Sequence, residues 1–224
     1  MNLLTQFGIM AARQKGKAYF DGTGDYLTIP NSTDFDFGSG DFTIDGWFYF
    51  LNVTKGYQGL IDRRGSSDGT GWMFFIESDN TVTFLSAQGT AWDNIATSRA
   101  FVPTINTWTH IAVVRYGNVF TMYKDGVSVK TGTSTYAIGA QTVAPTIGCG
   151  HIAPIPGFDG YIDKLRISKG RARYTSNFTP PTSFDVDGAD VVLCMQFVEP
   201  IGSKTFIDET GKTVTTYGDV VIVA

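Results

Sequence analysis

The segment from Trp108 to Gly132, WTHIAVVRYGNVFTMYKDGVSVKTG, constrains the fold more than any other part of this sequence. Two dipeptides, Gly117-Asn118 and Asp125-Gly126, separate runs that are rich in Val, Ile, Thr, Tyr and Phe. Both dipeptides supply residues that tolerate the positive φ of tight hairpin turns. The segment is therefore predicted to be a three-stranded antiparallel meander.

The first strand of this meander is largely apolar on both faces, since successive side chains of a strand point to opposite sides. One face carries Trp108, His110, Ala112 and Val114. The other face carries Ile111, Val113 and Arg115. A strand that is buried on two sides lies inside a layered structure, so we expect one sheet to pack on another.

Strand patterns separated by turn residues recur along the chain: AYFDGTGDYLTIP, DFTIDGWFYFL, GLIDRR, GWMFFIES, TVTFLSA, the meander, PTIGCG, GYIDKLRIS, VVLCMQF and VTTYGDVVIVA. Nothing resembles a long amphipathic helix. Aromatic residues at 14% and 26 glycines, against 17% charged residues, are typical of a β-rich protein with many tight turns. These patterns predict an all-β fold, a two-sheet antiparallel β-sandwich of jelly-roll type.

Charge and hydropathy narrow the function classes. The formal net charge of -4 argues against general nucleic-acid binding, which Lys and Arg drive by displacing counterions. The first 18 residues do not read as a signal peptide, and no run is apolar enough to suggest membrane insertion. Cys149 and Cys194 lie in apolar strand-like runs, where they can either pair or stay buried as small hydrophobic residues.

Four segments carry a resemblance to a known family: FDGTGDYLTIP, GDFTIDGWFYF, NTWTHIAVVRYGNVFTMYKDGVSV and GFDGYIDKLRISKGRARYTSNFTPP. The chain resembles the laminin-G-like, concanavalin A-like sandwich, in the version common in bacteriophage virion proteins, over residues 17–182. Residues 183–224 resemble a segment that usually precedes the sandwich in such proteins. We expect this segment either to complete the same sandwich or to pair with a neighbouring subunit, and residues 1–16 to form an N-terminal arm that packs on either.

The resemblance implies a non-enzymatic binding or assembly protein. We expect a bacteriophage virion structural protein, a head decoration or fibre component, that assembles in the host cytoplasm with other virion proteins and with further copies of itself. The alternative is an adhesion module that binds a bacterial cell-surface polysaccharide, with or without calcium. Because one fold hosts many functions, the choice depends on a site.

Catalytic residues are scarce. Glycoside hydrolysis needs two carboxylates at a fixed spacing, but none of Glu77, Glu199 and Glu209 has a second acid at a short alternate spacing along a strand. His110 alternates with apolar residues in a hairpin, which indicates a packed structural histidine rather than a base. We therefore expect no enzyme activity.

Calcium is a possible cofactor, because laminin-G-like domains often carry a calcium site at a loop rim. Calcium takes six to eight oxygen ligands. Asp62 and Asp68 in DRRGSSDGTGW are the candidate ligands, although Asp68-Gly69 is equally explained as a turn.

Glycan binding would use an aromatic ring beside polar groups in a loop. Trp72 and Trp92 stand beside glycine-rich or polar segments, whereas Trp47 and Trp108 lie inside strand patterns and are predicted to be core. Core and ligand roles stay open for both Trp72 and Trp92, and Trp72 also begins a strand pattern, which favours the core for it. The predicted ligand-binding set is Trp92, Asp93, Asn94 and Trp72.

A basic cluster stands out in this acidic chain. It consists of Lys164, Arg166, Lys169, Arg171 and Arg173. It is either a solvated strand edge and turn or a patch that docks on an acidic virion surface.

Overall fold

The computed structural model describes residues 16–65, 70–88, 91–93, 99–150 and 157–224. Within these ranges the chain forms fifteen β-strands and one 3-10 turn, Thr33–Phe35. The strands are β1 Lys17–Asp21, β2 Tyr26–Thr28, β3 Phe42–Phe50, β4 Gln58–Arg64, β5 Gly71–Ile76, β6 Val82–Gln88, β7 Ala91–Asp93, β8 Trp108–Tyr116, β9 Val119–Lys124, β10 Val127–Thr133, β11 Thr146–Ile147, β12 Asp159–Lys169, β13 Val191–Met195, β14 Thr215–Tyr217 and β15 Val221–Val223. No helix in the described part is long and apolar enough to cross a membrane.

The strands form two antiparallel sheets. The first sheet has eight strands in the order β10-β9-β8-β3-β12-β1-β15, with β13 also paired to β12. The second has seven strands in the order β14-β2-β11-β4-β5-β6-β7. The predicted all-β two-sheet sandwich is confirmed, and β8, β9 and β10 form the predicted meander.

A continuous core fills the space between the sheets. Phe20, Phe42 and Phe48 of the first sheet and Phe74 and Phe84 of the second are fully buried in it. The alternation predicted from the sequence explains this, because every second residue of these strands points inward. Burying each such ring stabilises the fold by roughly 1.5–3 kcal/mol.

Part of the outer face of the first sheet is covered. The segment of residues 170–184, here called the strap, crosses this face without regular secondary structure. Ala112, Val114 and Tyr123 are buried there against Tyr174 and Phe178 of the strap. The second buried face of β8 is thus packed against the strap, which is why this strand is apolar on both sides.

The C-terminal segment contributes strands to both sheets. β13 pairs with β12, β14 pairs with β2, and β15 pairs with β1, all antiparallel. β12 pairs with β1 along its first half and with β13 along its second half. The predicted N-terminal arm, residues 1–16, lies outside the described residues except for Gly16.

Both cysteines are free thiols. Burial raises the pKa of Cys149 to about 11 and that of Cys194 to about 12. The two side chains are therefore uncharged at neutral pH. The sequence left open whether the two cysteines pair or stay buried as thiols, and in the structure they are unpaired.

The hairpin turn at Gly126 contacts the strap at Phe178. Substituting Gly126 tests how much this contact constrains the turn. Gly126 has a φ of 78°, Phe178 N donates to its carbonyl at 2.9 Å, and an added Cβ would collide with the Phe178 carbonyl oxygen. Gly24 has nearly the same φ, 77°, with no atom within 4 Å of an added Cβ. We expect Gly24→Ala to cost about 1 kcal/mol and Gly126→Ala roughly 2–3 kcal/mol, measured by urea unfolding. Equal costs would show that the strap does not constrain this turn.

Candidate functional site

Trp72, predicted as either core or ligand-binding, belongs to the core. Its side chain is fully buried, and its Nε1 donates a hydrogen bond to the Phe35 carbonyl at 3.0 Å. Its ring lies 5.2 Å from that of Phe37 and 6.3 Å from that of Phe84. The ligand-binding assignment of Trp72 is therefore corrected, because no face of the ring is open to solvent.

Of the predicted calcium pair, Asp62 and Asp68, the structure describes only Asp62. The Asp62 carboxylate is fully buried, and both of its oxygens accept hydrogen bonds from the Arg64 guanidinium at 2.6–3.0 Å. A carboxylate held this way is already neutralised by a cation. The prediction that Asp62 is a calcium ligand is therefore corrected. Asp68 lies outside the described residues. Within the described residues, no group of three or more His, Cys, Asp or Glu side chains could hold a metal ion.

Trp92 and Asp93 lie in β7, the edge strand of the second sheet, rather than in a loop. Their backbones pair with Ala87 and Ser86 of β6. Asn94 lies outside the described residues. A ligand-binding role for these three residues stays a prediction.

The side chains of the predicted basic docking patch make separate contacts within the protein. Lys164 pairs with Asp163 at 2.6 Å, and Lys169 Nζ donates to the Thr33 carbonyl at 2.7 Å. Arg171 and Arg173 contact Asp190, at 3.5 and 2.5 Å. Arg166 is buried. These contacts use the charges within the fold, so the five residues do not form one free cationic surface.

Arg166 belongs to a polar network beneath the strap. Its Nε and Nη2 donate to the two oxygens of Asp45, at 3.0 and 2.8 Å, and Tyr174 Oη of the strap donates to the same carboxylate at 2.9 Å. Burial alone would raise the pKa of Asp45, but the neighbouring His110 and the Arg166 guanidinium together hold it below its ordinary value. The His110 ring is fully buried, 5.3 Å from Trp47 and 5.7 Å from Phe178, which fits the predicted structural histidine. This network fastens the strap to the sheet.

The part of the outer face of the first sheet that the strap does not cover is open and carries a row of aromatic residues. Tyr19 of β1 pairs in register with Tyr161 of β12, Tyr161 with Tyr49 of β3, and Tyr49 with Trp108 of β8. All four side chains are half-buried and point away from the core, because Ala18, Phe20, Phe48 and Phe50 beside them point inward. We call Tyr19, Tyr161, Tyr49 and Trp108 the aromatic ladder.

The rings of the aromatic ladder touch along the row. Neighbouring centroids are 5.1 Å apart for Tyr19 and Tyr161, 5.5 Å for Tyr161 and Tyr49, and 5.4 Å for Tyr49 and Trp108. Their planes differ by 36°, 70° and 60°, so a flat ligand can stack on one or two rings but not on all four. An open groove of about 480 Å³ lies over them. Its lining residues are Lys17, Tyr19, Tyr49, Trp108, Tyr161, Val223 and Ala224.

Trp108 was predicted to be core and is instead part of this groove. His110, Ala112 and Val114 share its face of β8, as predicted, and the strap segment covers all three. The strap leaves Trp108 at the open end of the strand. The prediction was wrong because a single strand pattern does not show how far a covering segment extends.

Charged groups flank the aromatic ladder on both sides along the strands. On one side Asp21 lies directly opposite Asp159 across β1 and β12, and Lys55 pairs with Asp159 at 2.7 Å. On the other side Asp163 follows Tyr161 on the same face and pairs with Lys164 at 2.6 Å. Carboxylates accept hydrogen bonds and ammonium groups donate them, so the rim offers both kinds of partner beside the rings.

The Tyr19 hydroxyl of the ladder stays protonated. The pKa of Tyr19 is raised, first by burial and then by Asp159, Tyr161, Asp21 and Asp25, in that order. A neutral hydroxyl can both donate and accept a hydrogen bond. An aromatic floor that carries hydroxyl groups and has charged rims suits a ligand with apolar C–H faces and many hydroxyls.

A family model described as the Concanavalin A-like lectin/glucanases superfamily, of laminin G type, matches residues 21–174. This match covers more than half of the chain. The chain belongs to this superfamily. The resemblance inferred from the four sequence segments is thereby confirmed, while the match itself says nothing about bacteriophage. No curated protein matches this concanavalin A-like chain.

Three solved structures share the concanavalin A-like fold of this chain. A Bacteroides ovatus protein assigned by its name to carbohydrate binding has a TM-score of 0.71 at 13% identity, over 94% of this chain and 60% of that one. Domain 4 of AbnA, an extracellular arabinanase of Geobacillus stearothermophilus, in complex with arabinotriose, has a TM-score of 0.55 at 17% identity, over 70% and 71% of the two chains. A heptameric SAP-like pentraxin of Limulus polyphemus has a TM-score of 0.53 at 15% identity, over 91% and 95%.

These likenesses show the fold of this concanavalin A-like domain. The chain spans 60% of the length of the Bacteroides ovatus protein, so a match to the whole of that protein is not implied. None of the three structures is a virion protein.

Proposed function

We propose that this protein is a non-enzymatic carbohydrate-binding domain and that the aromatic ladder is its binding surface. One observation carries the proposal: four half-buried aromatic side chains lie in register on an outer sheet face, in the part that the strap leaves open. Half-exposed rings of this size are costly to leave in water unless a partner covers them. The name of the Bacteroides ovatus protein and the arabinotriose bound to the AbnA domain support a sugar as that partner.

The chemistry of the groove supports binding rather than hydrolysis. The ring faces of the ladder can contact the C–H faces of a pyranose or furanose, and the rim carboxylates can accept hydrogen bonds from its hydroxyls. Two of the three glutamates, Glu77 and Glu199, are buried, and Glu199 Oε1 accepts a hydrogen bond from Ile207 N at 2.8 Å. Neither lines the groove. At the rim, Asp159 and Asp163 are each paired with a lysine, and we assign no catalytic step to this surface.

The test is a glycan array followed by isothermal titration with the best ligand. We expect Tyr161→Ala and Trp108→Ala each to weaken binding by about tenfold or more, since losing a stacked ring costs roughly 1–1.5 kcal/mol and about 1.4 kcal/mol corresponds to a factor of ten. Tyr116→Ala is the matched control, because Tyr116 ends the same strand as Trp108, is 60% exposed and lies outside the ladder. Full binding by both ladder variants, with unchanged thermal unfolding, would refute the assignment.

The virion role expected from the resemblance stays a prediction of the sequence. It includes head decoration or a fibre position, association with other virion proteins and with further copies of this chain, and assembly in the host cytoplasm. A carbohydrate-binding surface is compatible with such a location, because a protein on the outside of a particle can also hold a cell-surface glycan. Negative-stain microscopy of particles labelled with an antibody against this chain would test it.

A further inference from the structure

We propose that the aromatic ladder selects neutral oligosaccharides and rejects glycans that carry carboxylate or sulfate groups. This inference rests on the proposed function and concerns the charges at the rim of the same groove. It follows from three features: a pair of facing carboxylates, lysines that are already engaged, and the length of the ladder.

The first feature is the Asp21–Asp159 pair. These residues lie directly opposite each other across β1 and β12, two residues beyond the Tyr19–Tyr161 pair along each strand and therefore on the same face. Like charges at directly opposed positions destabilise a sheet. Asp21 is exposed, and no salt bridge in the described part of the chain involves it. The rim beside Tyr19 is therefore a place of unbalanced negative charge.

The second feature is the engagement of the neighbouring lysines. Lys55 Nζ lies 2.7 Å from the Asp159 carboxylate, and Lys164 Nζ lies 2.6 Å from the Asp163 carboxylate. The Lys17 ammonium contacts the Ala224 carbonyl and lies 5.5 Å from the Tyr161 ring centroid. Each of these ammonium groups already has an internal acceptor, so a ligand carboxylate or sulfate would compete with that acceptor for the cation.

The raised pKa of Tyr19 agrees with this picture. Burial raises it most, and the acidic groups Asp159, Asp21 and Asp25 raise it further. The same field that disfavours a tyrosinate at this position disfavours an anionic ligand group. Ionised carboxylates accept hydrogen bonds but cannot donate them, so the partners they recognise are donors such as sugar hydroxyls.

The third feature is the extent of the ladder, which sets the size of the ligand. The row crosses four strands, and each ring centroid lies more than 5 Å from the next. Neighbouring strands are about 4.8 Å apart, so the row is longer than one monosaccharide ring. The site therefore accommodates a short oligosaccharide that runs across the strands of the first sheet.

The experiment compares glycans that differ only in charge. The first step is an array that carries neutral and acidic glycans. The second step is isothermal titration with two neutral ligands, β-1,4-linked mannotetraose and cellotetraose. Each is compared with its oxidised counterpart, in which every C6 alcohol is a carboxylate. We expect hits among neutral glycans, and at least tenfold weaker binding of the oxidised counterpart at low ionic strength, with a smaller difference at high salt. Equal or tighter binding of the oxidised glycan would overturn the inference. An array with no hits, neutral or acidic, would instead contradict the proposed function.

A charge variant tests whether the rim carboxylates cause the preference for neutral over acidic glycans. Asp21→Asn removes the rim carboxylate that has no lysine partner, and we expect it to lower the ratio of neutral to acidic affinity by about threefold. Asp187→Asn is the matched control, because it makes the same charge change at an exposed position between the strap and β13. A ratio that responds equally to both variants would show that overall charge, rather than the rim, causes the discrimination.

Discussion

Replacing Arg166 with leucine should lower the free energy of unfolding by about 3–5 kcal/mol. Arg166 and Asp45 are both buried and form two hydrogen bonds, at 3.0 and 2.8 Å. Without the guanidinium, Asp45 would keep its charge in an interior that cannot solvate it, or take up a proton. Because Tyr174 of the strap donates to the same carboxylate, the loss should also loosen the strap. Urea unfolding followed by tryptophan fluorescence measures the change.

The pH dependence of this loss identifies its cause. The pKa of Asp45 is depressed in the folded protein, so its contribution to stability is present above the ordinary carboxyl value of 3.8 and is lost as the pH falls below it. The difference between wild type and Arg166→Leu should therefore shrink as the pH falls, from the pH at which the buried Asp45 of the variant takes up a proton down through the depressed pKa of Asp45 in the wild type.

Two further variants serve as controls for the Arg166 prediction. Arg171→Leu removes a guanidinium that is 55% exposed and 3.5 Å from Asp190, and it should cost less than about 1 kcal/mol. The double variant Asp45→Asn, Arg166→Leu should lose less stability than the two single substitutions added together. The reason is that the double variant contains no unpaired buried charge, whereas each single variant does. Additive costs would show that the buried pair is not the source of the effect.

Replacing Trp72 with alanine should cost about 3–5 kcal/mol of stability, as for other large aromatic residues in cores. The residue is fully buried between Phe37 and Phe84, so the substitution leaves a cavity that these rings cannot fill without moving. It also leaves the Phe35 carbonyl without its hydrogen-bond donor at Trp72 Nε1. Denaturant unfolding measures the loss.

Trp72→Phe separates the cavity from the hydrogen bond. It keeps most of the buried ring and removes the donor, so we expect a cost of about 1–3 kcal/mol. Glycan affinity of the folded Trp72→Phe protein should equal that of the wild type, because Trp72 does not reach the groove. Weakened binding at unchanged stability would restore Trp72 as a ligand residue.

Local pattern was enough to predict the strands and their turns. The period of two in segments such as KAYFD and FTIDGWFYF depends only on neighbouring residues, and the turn residues Gly117, Asp125 and Gly126 do adopt the positive φ expected of them. The apolar character of both faces of β8 was also a sound guide to layering, because the core lies on one side and the strap on the other.

Local pattern did not predict which of the candidate side chains are buried, because burial depends on contacts between residues far apart in the chain. Trp72 and Asp62 both neighbour polar, glycine-rich sequence, yet Trp72 packs in the core and Asp62 is held by Arg64. The ladder does leave a local signal in the sequence: Tyr19 and Tyr49 each stand between two inward-pointing apolar residues, and so point outward.

The sequence by itself determined where the strands run, which side chains alternate, and that two sheets pack together, because these follow from interactions between residues close in the chain. Only the tertiary structure decided that β12 lies between β1 and β3, and β3 between β12 and β8, so that Tyr19, Tyr161, Tyr49 and Trp108 meet in one row. It also decided where the strap ends, and the bulge at Lys164, with a φ of 59°, keeps Arg166 on the outer face opposite Asp45. Strand order and bulges depend on contacts between residues far apart in sequence, whose free energy no local pattern contains.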